Sequence, residues 1–232
     1  MGKTKQKVGE LIEPFDRLKV KIKNMKNKVL VSIIILLILG IGIGVGYYVA
    51  KSNILSKPSA GEHQNKPGLL PEANQTPSHE YTLEKEDFSI NVPAGWKESS
   101  PPSGVSAMVV NIGEQPTEDA AKKINFKSYF AVSYDTLAGR TREKYIEDYK
   151  QKLKEVLPEI VFVNENPGSI GGRDAYFIEA NLTQQGVDFK VFLVLVRGKS
   201  DDIWTISFNT LKSNWLKYKD LFYRTAESFE VR

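Results

Sequence analysis

The chain has 232 residues, 26% of them charged and 41% hydrophobic, which is ordinary for a globular protein of one or two domains. It contains no cysteine, which excludes disulfides, thiolate nucleophiles and thiolate metal sites. The net charge of +4 is uneven, because residues 1–28 carry nine basic and three acidic residues whereas residues 51–232 carry 23 basic and 25 acidic ones. Since the larger part is slightly acidic, we expect no nucleic-acid partner for it.

Residues 29–50 form the most distinctive segment, a run of 22 residues without a charge. As a helix this run would cover about 33 Å, slightly more than the hydrocarbon core of a bilayer. We predict a transmembrane helix through the lipid bilayer that acts as an uncleaved signal anchor, because the run is longer than the apolar region of a cleaved signal peptide. Lysines are concentrated before the run, which predicts a single-pass plasma-membrane protein with its N-terminus in the cytoplasm and its C-terminal domain outside.

Two features of the N-terminal part leave alternatives open. The basic cytoplasmic tail, residues 1–28, has a mild amphipathic spacing that suits a helix on the membrane surface, but a disordered tail fits equally well. Within the span, Gly40 and Gly44, and likewise Gly42 and Gly46, form two GxxxG patterns, which are typical of closely packed helix dimers. A homodimer through the span is therefore one interpretation, and the general frequency of glycine in membrane helices is the other.

Residues 51–79 are predicted to form a semi-flexible linker. They are rich in proline, serine, glycine, asparagine and glutamine, and they contain too few hydrophobic residues to form a core. The two histidines of the chain, His63 and His79, both lie here, and we expect them to be solvated. Residues 80–232 are long enough for one hydrophobic core and are predicted to be a single extracytoplasmic domain.

The first half of this domain is predicted to be mostly strands. Residues 81–92 indicate two short strands around the acidic turn 84–87, because Phe88, Ile90 and Val92 alternate with polar residues. Trp96 follows the turn-forming residues 93–95, and we expect its ring to be buried over the sheet. Further strands are predicted at 105–112 and 126–134.

The second half combines helices with hairpin-linked strands. A helix is predicted over 140–157, since its tyrosines and aliphatic residues share one face, and Pro158 ends it. Strands are predicted at 159–164, 174–183, 187–196 and 203–208, then a helix at 213–226 and a short closing strand. The second half of the strand 187–196 is apolar at successive positions and therefore on both faces, so we expect this strand in the centre of the sheet. This order predicts an α+β fold with an antiparallel sheet packed between helices.

Residues 80–232 resemble the Mog1/PsbP-like family, in particular its small bacterial membrane-anchored members. The resemblance is carried by residues 88–96, 141–149, 171–176, 204–208 and 228–229. It implies an α-β-α sandwich around an antiparallel sheet, and it implies no catalytic residues. Some members of the family are photosystem II extrinsic subunits or GTPase-binding proteins, but the residues of this chain give no ground for carrying over either role.

No catalytic, cofactor-binding or metal-binding residues are predicted. A serine–histidine nucleophile is excluded from residues 80–232, which contain no histidine. The glycine-rich stretch 168–172 lacks the lysine of a phosphate-binding loop and precedes a strand, so we predict a hairpin turn there. The acidic pairs 118–119 and 201–202 could bind a hard cation, but they are more simply explained as solvated turns.

Two functions remain open. The first is a non-enzymatic binding or scaffold domain that acts on a protein partner in the envelope. The second is a carboxylate-based hydrolase of cell-wall or sugar substrates. An enzyme should show a deep cleft with converging carboxylates, whereas a binding module should show a flat or grooved apolar patch. The composition favours binding, and we expect no cofactor.

Overall fold

The structure is a computed structural model that describes residues 79–232. The predicted cytoplasmic tail, the predicted span and residues 51–78 of the predicted linker lie outside the described residues. Within 79–232, no helix combines the length and the apolar character needed to cross a bilayer.

Strands dominate the described residues, and three helices connect them. The strands are β1 (Tyr81–Glu84), β2 (Phe88–Val92), β3 (Trp96–Ser99), β4 (Ala107–Asn111), β5 (Tyr129–Thr136), β6 (Val161–Ile170), β7 (Arg173–Gln184), β8 (Val187–Arg197), β9 (Asp202–Leu211) and β10 (Glu230–Val231). The helices are α1 (Asp119–Lys123), α2 (Arg142–Val156) and α3 (Trp215–Glu227), with a 3₁₀ turn (Lys212–Asn214) directly before α3.

The strands form two antiparallel sheets. The larger sheet has seven strands in the order β3-β4-β5-β9-β8-β7-β6, and the smaller has three in the order β1-β2-β10. In the larger sheet β8 pairs with β7 on one side and with β9 on the other, and residues 191–196 of β8 are buried on both faces. The prediction of a central, doubly covered strand is therefore confirmed.

Each face of the seven-stranded sheet has its own hydrophobic core. On one face α1 and α2 pack against β7 and β8, and Tyr145, Tyr149 and Leu153 of α2 are buried as the sequence predicted. On the other face α3 and the three-stranded sheet cover β8 and β9. The prediction of an antiparallel sheet between helices is thus confirmed, but α3 shares its layer with a small sheet whose pairing the sequence did not reveal.

Helix α2 shows how local sequence signals set the boundaries of an element. The Thr141 side chain caps its start by accepting a hydrogen bond from the backbone N–H of Lys144 at 3.2 Å. Such a cap satisfies one of the backbone donors that a helix leaves unpaired at its start. Pro158 lies two residues after Val156, the last helical residue, and a helix cannot continue through a proline.

Two elements were not predicted, and the end of one predicted strand was misplaced by six residues. Strand β3 and helix α1 were not predicted, because four and five residues are too few to establish a periodic pattern. Strand β6 was predicted to end at residue 164 but continues to Ile170, through Pro167 and Gly168. These two residues usually interrupt strands, but they are tolerated here because β6 is an edge strand that pairs only with β7.

Trp96 begins β3 and is buried, with 2% of its surface exposed. Its ring centroid lies 6.2 Å from that of Phe130, 6.0 Å from that of Tyr218 and 5.9 Å from that of Phe222. The indole therefore joins β3 and β5 to α3, and its predicted burial is confirmed.

Candidate binding site

The loops considered as ligand sites from the sequence are connections between strands. Gly171 and Gly172 form the β6–β7 turn with positive φ angles of 56° and 73°, which glycine adopts without strain. Asp201 and Asp202 lie at the β8–β9 turn, where the Asp202 carboxylate accepts a hydrogen bond from the Tyr134 hydroxyl at 2.8 Å. The hairpin turn predicted in the stretch 168–172 is confirmed at 171–172, whereas residues 168–170 belong to β6.

The second acidic pair lies at the start of α1. Glu118 accepts a hydrogen bond from the Ser213 hydroxyl, and Asp119 forms an exposed ion pair with Lys122 at 3.0 Å. His79 is exposed at the beginning of the described residues. Among residues 79–232, no three Asp, Glu or His side chains are grouped so that they could hold a metal ion.

A concave surface lies between α2 and the β6–β7 hairpin, and we call it the α2–β6 groove. It encloses about 250 Å³, slightly less than the 300–1,000 Å³ typical of small-molecule pockets. It is lined by Arg142, Glu143, Ile146, Glu147 and Lys150 of α2, Glu165 of β6 and Tyr176 of β7. This set of residues was not predicted from the sequence, because its members come from three elements that only the folded sheet brings together.

An ion pair between Lys150 and Glu165 lies at the centre of the groove. The Lys150 ammonium is 2.6 Å from both carboxylate oxygens of Glu165, and the Tyr176 hydroxyl donates to the same carboxylate at 3.2 Å. Burial raises the pKa of the Tyr176 hydroxyl, and the negative charge of Glu165 raises it further. The Lys150 ammonium also lies 5.0 Å from the centre of the Phe162 ring, in reach of a cation–π interaction.

The other carboxylates of the groove are also paired with cations. Arg142 contacts Glu143 at 3.0 Å, and Lys144 contacts Glu147 at 3.0 Å. The pKa of the Glu143 carboxyl is lowered, first by a hydrogen bond from its own backbone N–H and then by Arg142. A glycosidase needs a carboxyl group whose pKa is raised so that it can donate a proton at neutral pH. The pKa of Glu143 is shifted in the opposite direction, and each carboxylate that lines the groove is paired with a basic side chain.

Strand β6 borders the groove and leaves one edge of the seven-stranded sheet open. Its first half carries two valines that face solvent, Val161 with 56% and Val163 with 47% of its surface exposed. A β-bulge interrupts the pairing with β7 between Phe162 and Asn164, and Pro167 removes a backbone donor further along. The partly apolar part of the edge before Pro167 is residues 161–166, which contains the bulge and lies beside the α2–β6 groove.

A buried ion pair lies on the opposite face of the sheet, beneath α3. Lys190 of β8 contacts Glu179 of β7 at 2.8 Å, and their side chains are 7% and 8% exposed. The Tyr223 hydroxyl donates to Glu179 at 3.1 Å, and the Lys190 ammonium lies 5.0 Å from the centre of the Trp215 ring. Burial alone would raise the pKa of the Glu179 carboxyl, but the hydrogen bond and charge of Lys190 outweigh it, so that the pKa is lowered. The pair is enclosed by its partners, and we assign it a structural role.

No family model and no curated protein match the chain. Solved structures do match it, among them the cyanobacterial PsbP protein (CyanoP) of Synechocystis, which is 16% identical and superposes with a TM-score of 0.51 over 71% of this chain and 98% of that one. The domain has a Mog1/PsbP-like fold.

Two further structures are similar at lower scores. The Ran-binding protein Mog1p of Saccharomyces cerevisiae is 15% identical, with a TM-score of 0.45 over 66% of this chain and 94% of that one. LpqN of Mycobacterium tuberculosis, described as involved in cell envelope biogenesis, is 16% identical, with a TM-score of 0.47 over 66% and 90%. Sequence identities this low show a likeness in fold alone.

Proposed function

We propose that the protein is a single-pass plasma-membrane protein whose Mog1/PsbP-like domain lies outside the membrane and binds a protein of the cell envelope. The apolar run 29–50 and the lysines before it support this location. The observation that carries the binding role is the open edge of β6 beside the α2–β6 groove.

The form of this surface suits an extended peptide segment. An added strand can pair with the free backbone groups of an edge strand, and its alternate side chains then reach the neighbouring surface. Val161 and Val163 provide exposed apolar contacts on β6. Lys150 and Arg142 provide donors in the groove, where side chains of the added segment would lie. The proposed partner is therefore a protein that presents an extended segment with alternating apolar and polar side chains.

Site-specific photo-crosslinking in native membranes tests this proposal. A photoreactive residue placed at Val163 of the full chain should give one discrete product with an envelope protein. The same residue at Ile112, an exposed apolar position outside β6 and the groove, is the matched control and should give none. A second substitution, Val161→Asp, should reduce the Val163 product several-fold. Equal products from both positions, or no product from either, would contradict the proposed surface.

The proposed location is tested separately by limited proteolysis. A protease added to intact cells should digest the C-terminal domain and leave the N-terminal tail protected, because the excess of lysines precedes the span. A C-terminal domain that stays protected until the membrane is permeabilised would refute this location.

A further inference from the structure

Leu216 lies in the first turn of α3 with 89% of its surface exposed, the highest value among the large hydrophobic residues that the structure describes. The helix buries Tyr218, Phe222 and Ala226 on its other side, so Leu216 is directed away from the core. Such an exposed leucine gains nothing from the fold of the domain. Single exposed apolar residues are common on protein surfaces, so the role of Leu216 depends on the residues around it.

Lysines surround this leucine. Lys212 precedes it in the 3₁₀ turn, Lys217 follows it directly, and Lys219 lies one helical turn further on the same side. The ammonium group of Lys219 also lies 3.8 Å from the Glu179 carboxylate beneath the helix. Trp215 is half-buried, and the ammonium group of Lys219 lies 6.0 Å from the centre of its ring. We call Leu216, Trp215 and the three lysines the Leu216 patch.

The charge of the patch is opposite to that of the domain. Residues 212–219 contain three lysines, and the next acidic residue is Asp220, one helical turn beyond Leu216, whereas residues 79–232 contain 20 basic and 23 acidic residues in all. A protein surface that combines clustered lysines with an exposed leucine and a tryptophan suits an anionic membrane. Lysine attracts the lipid phosphates, leucine enters the apolar region, and the amphipathic indole prefers the headgroup level.

The chain enters the domain beside α3. Tyr81 at the start of β1 pairs with Val92 at the end of β2, and the backbone N–H of the preceding Asn91 donates to the Ser228 hydroxyl at the C-terminal end of α3. The next strand begins at Trp96, whose ring lies 6.0 Å from that of Tyr218 in the first turn of the same helix. Residues 51–78 lie between the predicted span, which ends at residue 50, and the first described residue, His79. The semi-flexible linker that the sequence predicts for these residues would span on the order of 30 Å, more than the roughly 20 Å length of α3, so the patch can reach the bilayer.

We infer that the Leu216 patch docks the domain on the anionic surface of the membrane in which the chain is anchored. This inference rests on the anchoring and location proposed above, but it concerns a different surface from the β6 edge. Docking through α3 would leave the α2–β6 groove, on the other face of the seven-stranded sheet, accessible to a partner.

The three tryptophans of the chain allow docking to be measured in the full-length protein. Trp96 and Trp204 are 2% and 4% exposed, so Trp215 is the one that lipids can reach. The full chain is reconstituted into phosphatidylcholine vesicles with or without phosphatidylglycerol, with part of the lipid brominated on its acyl chains. Bromine should quench the tryptophan fluorescence in the phosphatidylglycerol vesicles, and added salt should restore it.

Substitutions in the patch should shift the ratio of docked to undocked protein. Leu216→Gln should lower this ratio about tenfold or more, because the apolar contact is lost. Replacement of the three lysines by glutamine should lower it about fivefold for each lysine. The matched controls are Val161→Gln and a triple lysine-to-glutamine variant on α2, at positions 144, 152 and 154, which should leave the ratio unchanged.

Three outcomes would overturn the inference: no quenching in either vesicle, equal quenching with and without phosphatidylglycerol, or equal effects of the patch and control variants. Resistance of the reconstituted protein to extraction at alkaline pH shows separately whether the chain is anchored. If quenching fails while the Val163 crosslink forms, the docking inference is wrong and the proposed partner surface stands.

Discussion

Replacement of Trp96 by alanine is the most direct test of how the domain is held together. The indole is 2% exposed and contacts three aromatic rings, one on β5 and two on α3. Truncation of a buried tryptophan to alanine typically costs about 3–5 kcal/mol, since the apolar transfer energy is lost and a cavity remains. A typical domain has only about 5–15 kcal/mol of stability, so Trp96→Ala should remove a large part of it.

The expected loss can be measured as a shift in the melting temperature. For a domain of this size, 1 kcal/mol corresponds to about 2–4 °C, so Trp96→Ala should lower the melting temperature by about 10 °C. The assay is thermal unfolding of residues 79–232 and of the full chain in detergent, followed by circular dichroism. Trp96→Phe is the control, because it keeps an aromatic ring in the site and should lower the melting temperature much less. An unchanged melting temperature in Trp96→Ala would refute the argument that this ring joins β3 and β5 to α3.

Two further substitutions test other parts of the structure. Gly168→Ala should destabilise the domain by more than about 1 kcal/mol, because a Cβ there would lie 2.5 Å from the Phe177 ring, whereas Gly113→Ala, with its nearest contact at 3.9 Å, should be neutral in the same melts. Glu179→Gln should cost about 3 kcal/mol at pH 7 by leaving Lys190 buried without its partner, and adding Lys190→Met should recover most of that loss. Because folding lowers the pKa of Glu179, its contribution is present above the unfolded pKa of about 4.3 and is lost as the pH falls through the lower folded pKa. Denaturant titrations from pH 7 to pH 3 should therefore show a steeper loss of stability in the unsubstituted domain than in Glu179→Gln, and parallel curves would contradict this assignment.

The local periodicity of the sequence was sufficient to predict the longer elements. The alternation of Phe88, Ile90 and Val92 predicted β2, and the helical spacing of Tyr145, Tyr149 and Leu153 predicted α2. Such patterns are reliable because each of these elements buries one face against a core, and the buried positions recur with the period of the backbone. The central position of β8 could be predicted for a related reason, since a strand covered on both faces is apolar at successive positions.

Polar residues of the sheet could not be assigned in this way. Ser133 alternates with the apolar residues of β5, a position that would face solvent if only one side of the sheet were covered. It is 1% exposed, because both faces of the seven-stranded sheet are covered. Glu179 occupies a polar position in the alternating pattern of β7, but it is buried because α3 covers that face of the strand. Periodicity distinguishes the two faces of a strand, but it does not say which other element covers each face.

The sequence by itself determined the elements with repeating apolar patterns and the turn at Gly171 and Gly172, because each depends on residues close together in the chain. The burial of Trp96 was predicted correctly, but the rings that enclose it come from β5 and α3, which only the tertiary structure brings together. The tertiary structure alone decided the strand order, and with it the open edge at β6 and the groove beside it. Lys150 and Glu165 pair across two elements that are joined only by packing, and the spacing of these residues along the chain does not specify their contact. The candidate site was therefore not predictable from local pattern, since it is formed by the relative placement of α2, β6 and β7.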